Sequence, residues 1–577
     1  MHGLNFSFVP QFDPQFDRAG ATPSAAASQF GMRNLLRLDP ADAFGHGKTT
    51  DELRKLMQKL AKRLIYEPNW PDALPNARNK EDNPTIPSGY TYLLQLIAHD
   101  IVNTSVSLAA ADGYFFGFEN ARAQALTLDT IYGGGPDVCP RAYELSQRCV
   151  QYRGQVPRTR LRLGHMRSND PPACQPFEDI GRGTPIGVHD DGIPTSGKLR
   201  DCLLSEAFVA DSRNDDHALI SQLTVLFHKL HNHIIEIVER FTTPVHPAQD
   251  GYRALIYARY ILALIYRKVI RYDVLCKLLD PSVFRYYVVD NNPLVTRDDK
   301  GVPVEFSYGA FRCGHAMIRE SYRIKSDDVE LATQAALNQS SMRLLGFLPV
   351  SDVWKVDWKR FFPQKGNLAG ANFSRRLGPN FSSVTRNQMF FPALLPEDAH
   401  GIANRDLVSA AYAGLWSVPP LIDALRAKRP AIANFLKPYS TCQTQLGTWL
   451  KAADPHVGAA LEPGEVTAIA ADPPLPFFVL FEAALTGNSA TEPFVGGGQH
   501  LGPLGSIIVA ETILGAMLDY PLQIGPGSLD PTKRFKELWP TLELMGFQKG
   551  ILDHLPEDIQ SMPDLINFMG DRNVLIE

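Results

Sequence analysis

Four long segments of this chain repeat apolar residues at intervals of three and four: "YLLQLIAHDIV" (92–102), "ALISQLTVLFHKLHNHIIEIVERF" (218–241), "YRALIYARYILALIYRKVIRYDVL" (252–275) and "LGSIIVAETILGAMLDY" (504–520). That period marks helices with a buried stripe, each of which needs a partner to cover it. Alternating, strand-like runs are few and short, and no internal repeat is visible. Length alone would suggest two to four domains, yet no stretch has the composition of a flexible linker. The Pro- and Gly-rich segment "RSNDPPACQPFEDIGRGTPIGVHDDGIPTSGK" (167–198) reads instead as a long loop within one body. The expected fold is therefore mainly α: a single large domain over residues 86–577 with long loops and very little β. Residues 1–85 are expected to form an N-terminal arm and lead-in, "AGATPSAAASQ" being small, polar and extended.

Composition removes several classes of function. With 577 residues, 44% of them hydrophobic, the chain can bury a large core. A net charge of -5 supplies no basic field for nucleic acid. No run of eighteen apolar residues offers a membrane span, and the start lacks the basic and apolar regions of a secretory signal. Seven cysteines scattered from Cys139 to Cys442 form neither a paired disulfide framework nor a CxxC metal site. The expected setting is soluble, reducing and cytoplasmic, with non-classical secretion as the alternative.

Three stretches imitate sites. "DAFGHGKTT" ends like a phosphate-binding loop, but the position that should carry its first glycine is Asp42, and no apolar strand precedes it. In "FSYGAFRCGH", Phe306, Gly309 and Cys313 fall at the spacing of a cytochrome P450 haem-thiolate loop, but Phe311 and His315 occupy the places of its arginine and second glycine. Cys313 otherwise reads as a small buried side chain. "FHKLHNHII" holds His228, His231 and His233. At about 100° per residue, His233 lies roughly 160° from His231 on one helix. The apolar stripe Leu223, Leu226, Phe227, Leu230, Ile234, Ile237 requires that helix to be unbroken, so the three rings are expected to pack and hydrogen-bond rather than share an ion.

Three further constellations carry chemistry. Gln95 and His99, at i and i+4, share one helical face. Arg213 precedes Asp216 at the start of the long amphipathic helix, and His315 follows Gly314 at an apparent helix start. Taken singly, each reads equally as a core histidine, a solvated arginine beside an acidic cap, or a satisfied imidazole. Their order and flanks resemble the animal-type haem peroxidases of the peroxidase–cyclooxygenase superfamily, and more closely its bacterial members. In that family Gln-x-x-x-His-Asp carries the distal histidine, matched by Gln95, His99 and Asp100. Arg-x-x-acid followed by a helix ending in His-Asn carries the distal arginine, matched by Arg213, Asp216, His231 and Asn232. Arg-x-Gly-His carries the proximal iron ligand, matched by Arg312, Gly314 and His315. The segments "PLPFFVLFEAALTG" and "LGPLGSIIVAETILGAML" extend the likeness, which covers residues 86–520.

The resemblance implies a haem b enzyme that reduces hydrogen peroxide and oxidises a small organic or halide donor. His315 would ligate the iron, leaving its other face open. His99 would act as general base and then acid, Arg213 would stabilise developing charge, Gln95 would hold a water or halide, and Arg312 would pair with a haem propionate. The family's two ester links to haem reduce here to one at most, through Asp216, because Ala98 stands where the other carboxylate would be. The resemblance also implies a calcium ion between Asp100 and the "LTLDTIYGG" loop, with Thr127 and Asp129 as oxygen donors, and an asparagine orienting the proximal imidazole, at whose place the sequence has Ala411. Two rivals stay open: a fatty-acid dioxygenase of the same superfamily, whose radical tyrosine three residues before the proximal histidine is replaced by Arg312, and a non-catalytic haem carrier or sensor.

Overall fold

The computed structural model describes residues 31–64, 82–103, 120, 122, 124–145, 157–167, 177–182, 207–296, 300–325, 329–339, 349–386, 401–451, 461–485, 497–524, 527–556, 559–572 and 574–575. The extended reading of residues 19–29 and most of the loop reading of 167–198 lie outside these.

The helical period is realised in helices α1 (Thr50–Leu64), α2 (Gly89–Ile101), α3 (Ala218–Phe241), α4 (Pro247–Val269), α5 (Ile402–Tyr412), α6 (Leu475–Leu485) and α7 (Pro503–Asp519). Local chemistry sets their ends. Thr49 and Glu52 form a reciprocal cap on α1, each accepting the other's backbone N–H. The Nδ1 atom of His217 accepts from the backbone N–H of Ile220 at 3.3 Å and starts α3. Pro247 and Pro503 occupy first helical turns, where a missing N–H costs nothing. Beyond Val269, α4 runs on through one π-turn, Ile270–Val274, which keeps the following Leu275 and Leu278 buried.

Among the described residues strands occur only in two-stranded pairs, such as Asp82–Pro87 antiparallel to Phe373–Arg375. One contiguous core of buried residues runs from Leu35 to Val574, so α1 belongs to the same body as the rest, packed on α5. The α3 stripe is buried throughout: Leu223, Leu226, Phe227, Leu230, Ile234 and Ile237 are at most 4% exposed. At roughly 1.5–3 kcal/mol per such side chain, the stripe contributes on the order of 10 kcal/mol to holding α3 against α2 and α4. Among the described residues no single helix is long and apolar enough to cross a membrane.

The imitations of sites resolve physically. The backbone N–H of Gly45, in the phosphate-loop lookalike, donates to Asp472 at 2.8 Å, and Thr49 is spent on its helix cap. His231 donates from Nε2 to the Thr159 carbonyl (2.8 Å) and accepts the Tyr132 hydroxyl at Nδ1 (2.9 Å). His228 Nδ1 lies 3.0 Å from the Arg162 carbonyl, and Asn232 pairs both its amide groups with the backbone of Leu161. Burial lowers the pKa of His228 to about 4 and that of His231 to about 3, so both stay neutral. These side chains staple α3 to the 159–162 segment.

Candidate functional site

One cavity of about 330 Å³ gathers the residues singled out from the sequence: Gln95, His99, Arg213, Asp216, Arg312 and His315 all line it. Helix α2 supplies Gln95 and His99 on adjacent turns of one face. The 3-10 turn Ser212–Asp215 supplies Arg213, and a 3-10 helix, Ala310–Met317, supplies Arg312 and His315.

Both imidazoles are anchored at Nδ1 by their partners. His315 Nδ1 lies 2.6 Å from the Asp406 carboxylate on α5. A carboxylate only accepts, so Nδ1 carries a proton and Nε2 is the ring nitrogen that Asp406 does not engage. Asp406 is 4% exposed and also accepts from Arg312 Nη1 at 3.4 Å. The orienting residue is therefore Asp406. The sequence has Ala411 where the resemblance implies an orienting asparagine, and a carboxylate about a turn and a half earlier on α5 holds the ring instead.

His99 repeats the logic with a neutral partner. Its Nδ1 lies 3.0 Å from Asn214 Oδ1, and the Asn214 amide is held by donating Nδ2 to the Thr130 carbonyl at 2.9 Å. Nδ1 of His99 thus donates, and Nε2 is a lone pair. Burial, reinforced by the Arg213 charge, lowers the His99 pKa to about 3, so the ring is an unprotonated base at neutral pH.

Arg213 is more constrained than its sequence position suggests. Its Nε and Nη2 grip Asp211 at 3.0 and 2.7 Å, and Nη1 and Nη2 donate to the carbonyls of Val102 and His99 at 2.9 and 3.1 Å. Arg122 also donates to Asp211 and to the His99 carbonyl. Two guanidiniums therefore cap the C-terminal end of α2, where the helix dipole is negative, and pin the backbone of His99. Burial alone would raise the Asp211 pKa, but Arg213 and Arg122 reverse this and hold it well below the carboxylate range. Four of the five N–H groups of Arg213 are thus structural, and its contribution to the cavity is chiefly a fixed positive charge.

Gln95 accepts from His217 Nε2 at 3.0 Å, which fixes its amide with the NH2 group left to donate. Arg312 donates from Nε to the Ser307 carbonyl at 2.8 Å and lies over the Tyr308 ring at 5.5 Å. Asp216 is the sole carboxylate among the described lining residues, and Ala98 lines the cavity beside it without one. The remaining wall is largely apolar, with Leu94, Leu219, Phe306, Phe311, Ile318 and Leu337. Cys313 is buried and absent from that wall, so the P450-like alternative has no sulfur facing the cavity; burial pushes its thiol up to about 12.

At the residues expected to hold calcium, Asp100 accepts the backbone N–H groups of Leu128 (3.0 Å) and Thr130 (3.2 Å), one on each oxygen, and Thr127 donates its hydroxyl to Asp129 at 3.0 Å. Burial, with the Asp129 charge, raises the Asp100 pKa to about 6. Among the described residues no three His, Cys, Asp or Glu side chains converge as a metal site.

Sequence reasoning missed Asp406, Asn214 and His217. Asn214 and His217 sit in "SRNDDH" beside Arg213, where polar residues read as helix-capping material. Asp406 acts across 91 residues and leaves no local pattern.

The mainly α fold is shared with solved structures of low sequence identity. Fatty acid alpha-dioxygenase from Oryza sativa superposes with a TM-score of 0.50 at 12% identity, covering 95% of this chain and 89% of that one. Peroxidase A from Dictyostelium discoideum superposes at 0.46, with 13% identity over 93% and 95% of the two chains. Fatty acid alpha-dioxygenase from Arabidopsis thaliana gives 0.47, with 12% identity over 91% and 76%. No protein-family model and no curated protein matches the sequence.

Proposed function

We propose that the protein is a haem-dependent peroxidase that reduces hydrogen peroxide and oxidises a small donor. The observation that carries this reading is the pair of imidazoles in one cavity, each with Nδ1 committed to a buried partner, Asp406 for His315 and Asn214 for His99. A carboxylate-anchored imidazole is an iron ligand of high basicity, and a buried, uncharged imidazole is a base. The cavity walls suit the group chemically: an apolar surface for a macrocycle, with Arg312 at its edge to meet a propionate. Bound haem would supply the Lewis-acidic iron and the oxidising equivalents.

The chain's own residues do the rest. His99 Nε2 takes the proton from the near oxygen of peroxide and returns it to the far one, and Asn214 holds the ring still while it does so. The fixed charge of Arg213 stabilises the negative charge that develops on that oxygen. Gln95, its carbonyl held by His217, donates its NH2 to a water or halide in the cavity. Asp216 is the side chain through which a single ester link to haem would run, and haem resisting acid–organic extraction would report it.

Tyr308 and the apolar wall favour a second reading, oxidation of a long-chain fatty acid by dioxygen. Arg213 and Arg312 within the cavity favour peroxide chemistry. The deciding experiment is an optical spectrum of haem-loaded protein before and after one equivalent of hydrogen peroxide. The peroxidase reading expects a rapid shift of the Soret band, and His315→Ala is expected to abolish haem retention. A Soret band unmoved by peroxide, with oxygen uptake on adding a fatty acid, selects the dioxygenase; unmoved and without uptake, it leaves a carrier or sensor.

A further inference from the structure

Arg267, near the end of α4, heads the largest side chains that are fully buried among the described residues, at 0% exposure. A guanidinium is costly to bury, and burial lowers its pKa to about 10, which still leaves it charged at neutral pH. Its Nε donates to the carbonyl of Leu126 at 2.9 Å and its Nη2 to that of Ala125 at 3.2 Å. Two leucines in the same loop hold left-handed backbone, Leu126 at φ 58° and Leu128 at φ 61°. Such conformations persist in bulky residues only where the surroundings over-determine them.

The loop is gripped from both sides. Arg267 binds carbonyls at 125 and 126, while Asp100 binds the N–H groups at 128 and 130. A divalent cation bridging Asp100 to this loop would draw on the loop's carbonyls as well as the carboxylate, and Arg267 already occupies those of residues 125 and 126. A cation is already there, attached to α4.

We infer that the guanidinium of Arg267 takes the place of a divalent cation in the 125–130 loop, so that a charge fixed to the chain, and not an exchangeable ion, braces it. The brace reaches the cavity by two hydrogen bonds: the Thr130 carbonyl accepts from Asn214 Nδ2, and Asn214 Oδ1 accepts from His99 Nδ1. Arg267 is thus a positioning residue for His99. This last step rests on the peroxidase reading, whereas the replacement of the cation does not.

The test uses the haem-loaded full chain, dialysed against EDTA or against calcium chloride, with metal content and thermal unfolding as readouts. The expected result is below about 0.1 calcium per chain after dialysis into calcium-free buffer, and Tm values within about 1 °C of each other. Near-stoichiometric calcium, or a Tm raised several degrees by calcium, overturns the inference whatever the enzyme's activity. Arg267→Gln, which removes the charge but keeps an amide donor, is expected to lower Tm and to slow the peroxide reaction at unchanged haem content, with neither restored by calcium. An Arg267→Gln protein indistinguishable from the parent in Tm also overturns it. If that variant does not fold, the metal content and Tm of the parent chain still decide. A parent chain that is calcium-free but inert to peroxide would sink the peroxidase reading and leave the guanidinium brace standing.

Discussion

Replacing Asp406 with asparagine isolates the electrostatic part of the proximal bond. The substitution keeps the shape of the side chain and an oxygen to accept the His315 Nδ1 proton, now at 2.6 Å from the carboxylate, but removes the charge from a residue 4% exposed. A hydrogen bond to a charged group contributes about 1.5–3 kcal/mol and a neutral one about 0.5–1.5. With His315 on a haem iron, as proposed, the difference of about 1–1.5 kcal/mol would be felt mainly by the more positive, ferric state, because a carboxylate partner makes the imidazole a stronger electron donor. At about 59 mV for each 1.4 kcal/mol in a one-electron couple, Asp406→Asn should raise the ferric/ferrous potential by roughly 40–60 mV. The sign follows from the charge: losing an anion near the iron favours the reduced form. Arg312, which also donates to Asp406, keeps its bond to the Ser307 carbonyl and so remains in place. The assay is a dye-coupled reductive titration followed at the Soret band. A potential that stays put or falls, with haem retained, would refute the claim that Asp406 tunes His315.

Two more predictions concern the base. Because the His99 pKa is lowered to about 3, its neutral form should persist well below pH 6.5, and the rate of peroxide binding should stay flat from about pH 8 to about pH 4.5 before falling; stopped-flow rates that halve near pH 6.5 would show that His99 titrates like a free histidine. Asn214→Ala removes the acceptor that sets the His99 tautomer, so peroxide reaction should slow by about 10–100-fold at unchanged haem content, and a rate within twofold of the parent would place the control of His99 elsewhere.

The fold was legible where the physics is local. The stripe from Leu223 to Ile237 fixed α3 to within a residue or two, because burial on one face of a helix repeats in sequence. His99, Arg213 and His315 could be picked out because family-like spacings flank them. Asp406 could not, since a hydrogen bond spanning 91 residues imposes no spacing, and "NRDLVS" reads as the polar start of a helix. Arg267 was hidden for a different reason. Basic residues in the last turn of an amphipathic helix ordinarily face water, but the π-turn after Val269 carries the chain onward into the core and takes Arg267 with it. Its contact is equally non-local: Arg267 meets the 125–126 carbonyls from a helix more than a hundred residues away, which no pattern around Asp100 or the Tyr-Gly loop signals.

The partition of the cavity between distant stretches of chain bears on how the protein is made. Gln95, His99, Asn214 and His217 all lie within the first 217 residues, whereas His315 and the carboxylate that aims it, Asp406, come later. At ~5–20 residues/s, a ribosome needs roughly 10–40 s to pass from His217 to Asp406. The half of the pocket that would meet peroxide is thus synthesised before the half that would grip iron, and its wall residues, Leu94 and Leu219 among them, wait uncovered through that interval. If the protein takes up haem as proposed, insertion must await the synthesis of His315 and Asp406, and the nascent chain has apolar wall residues to shield until then.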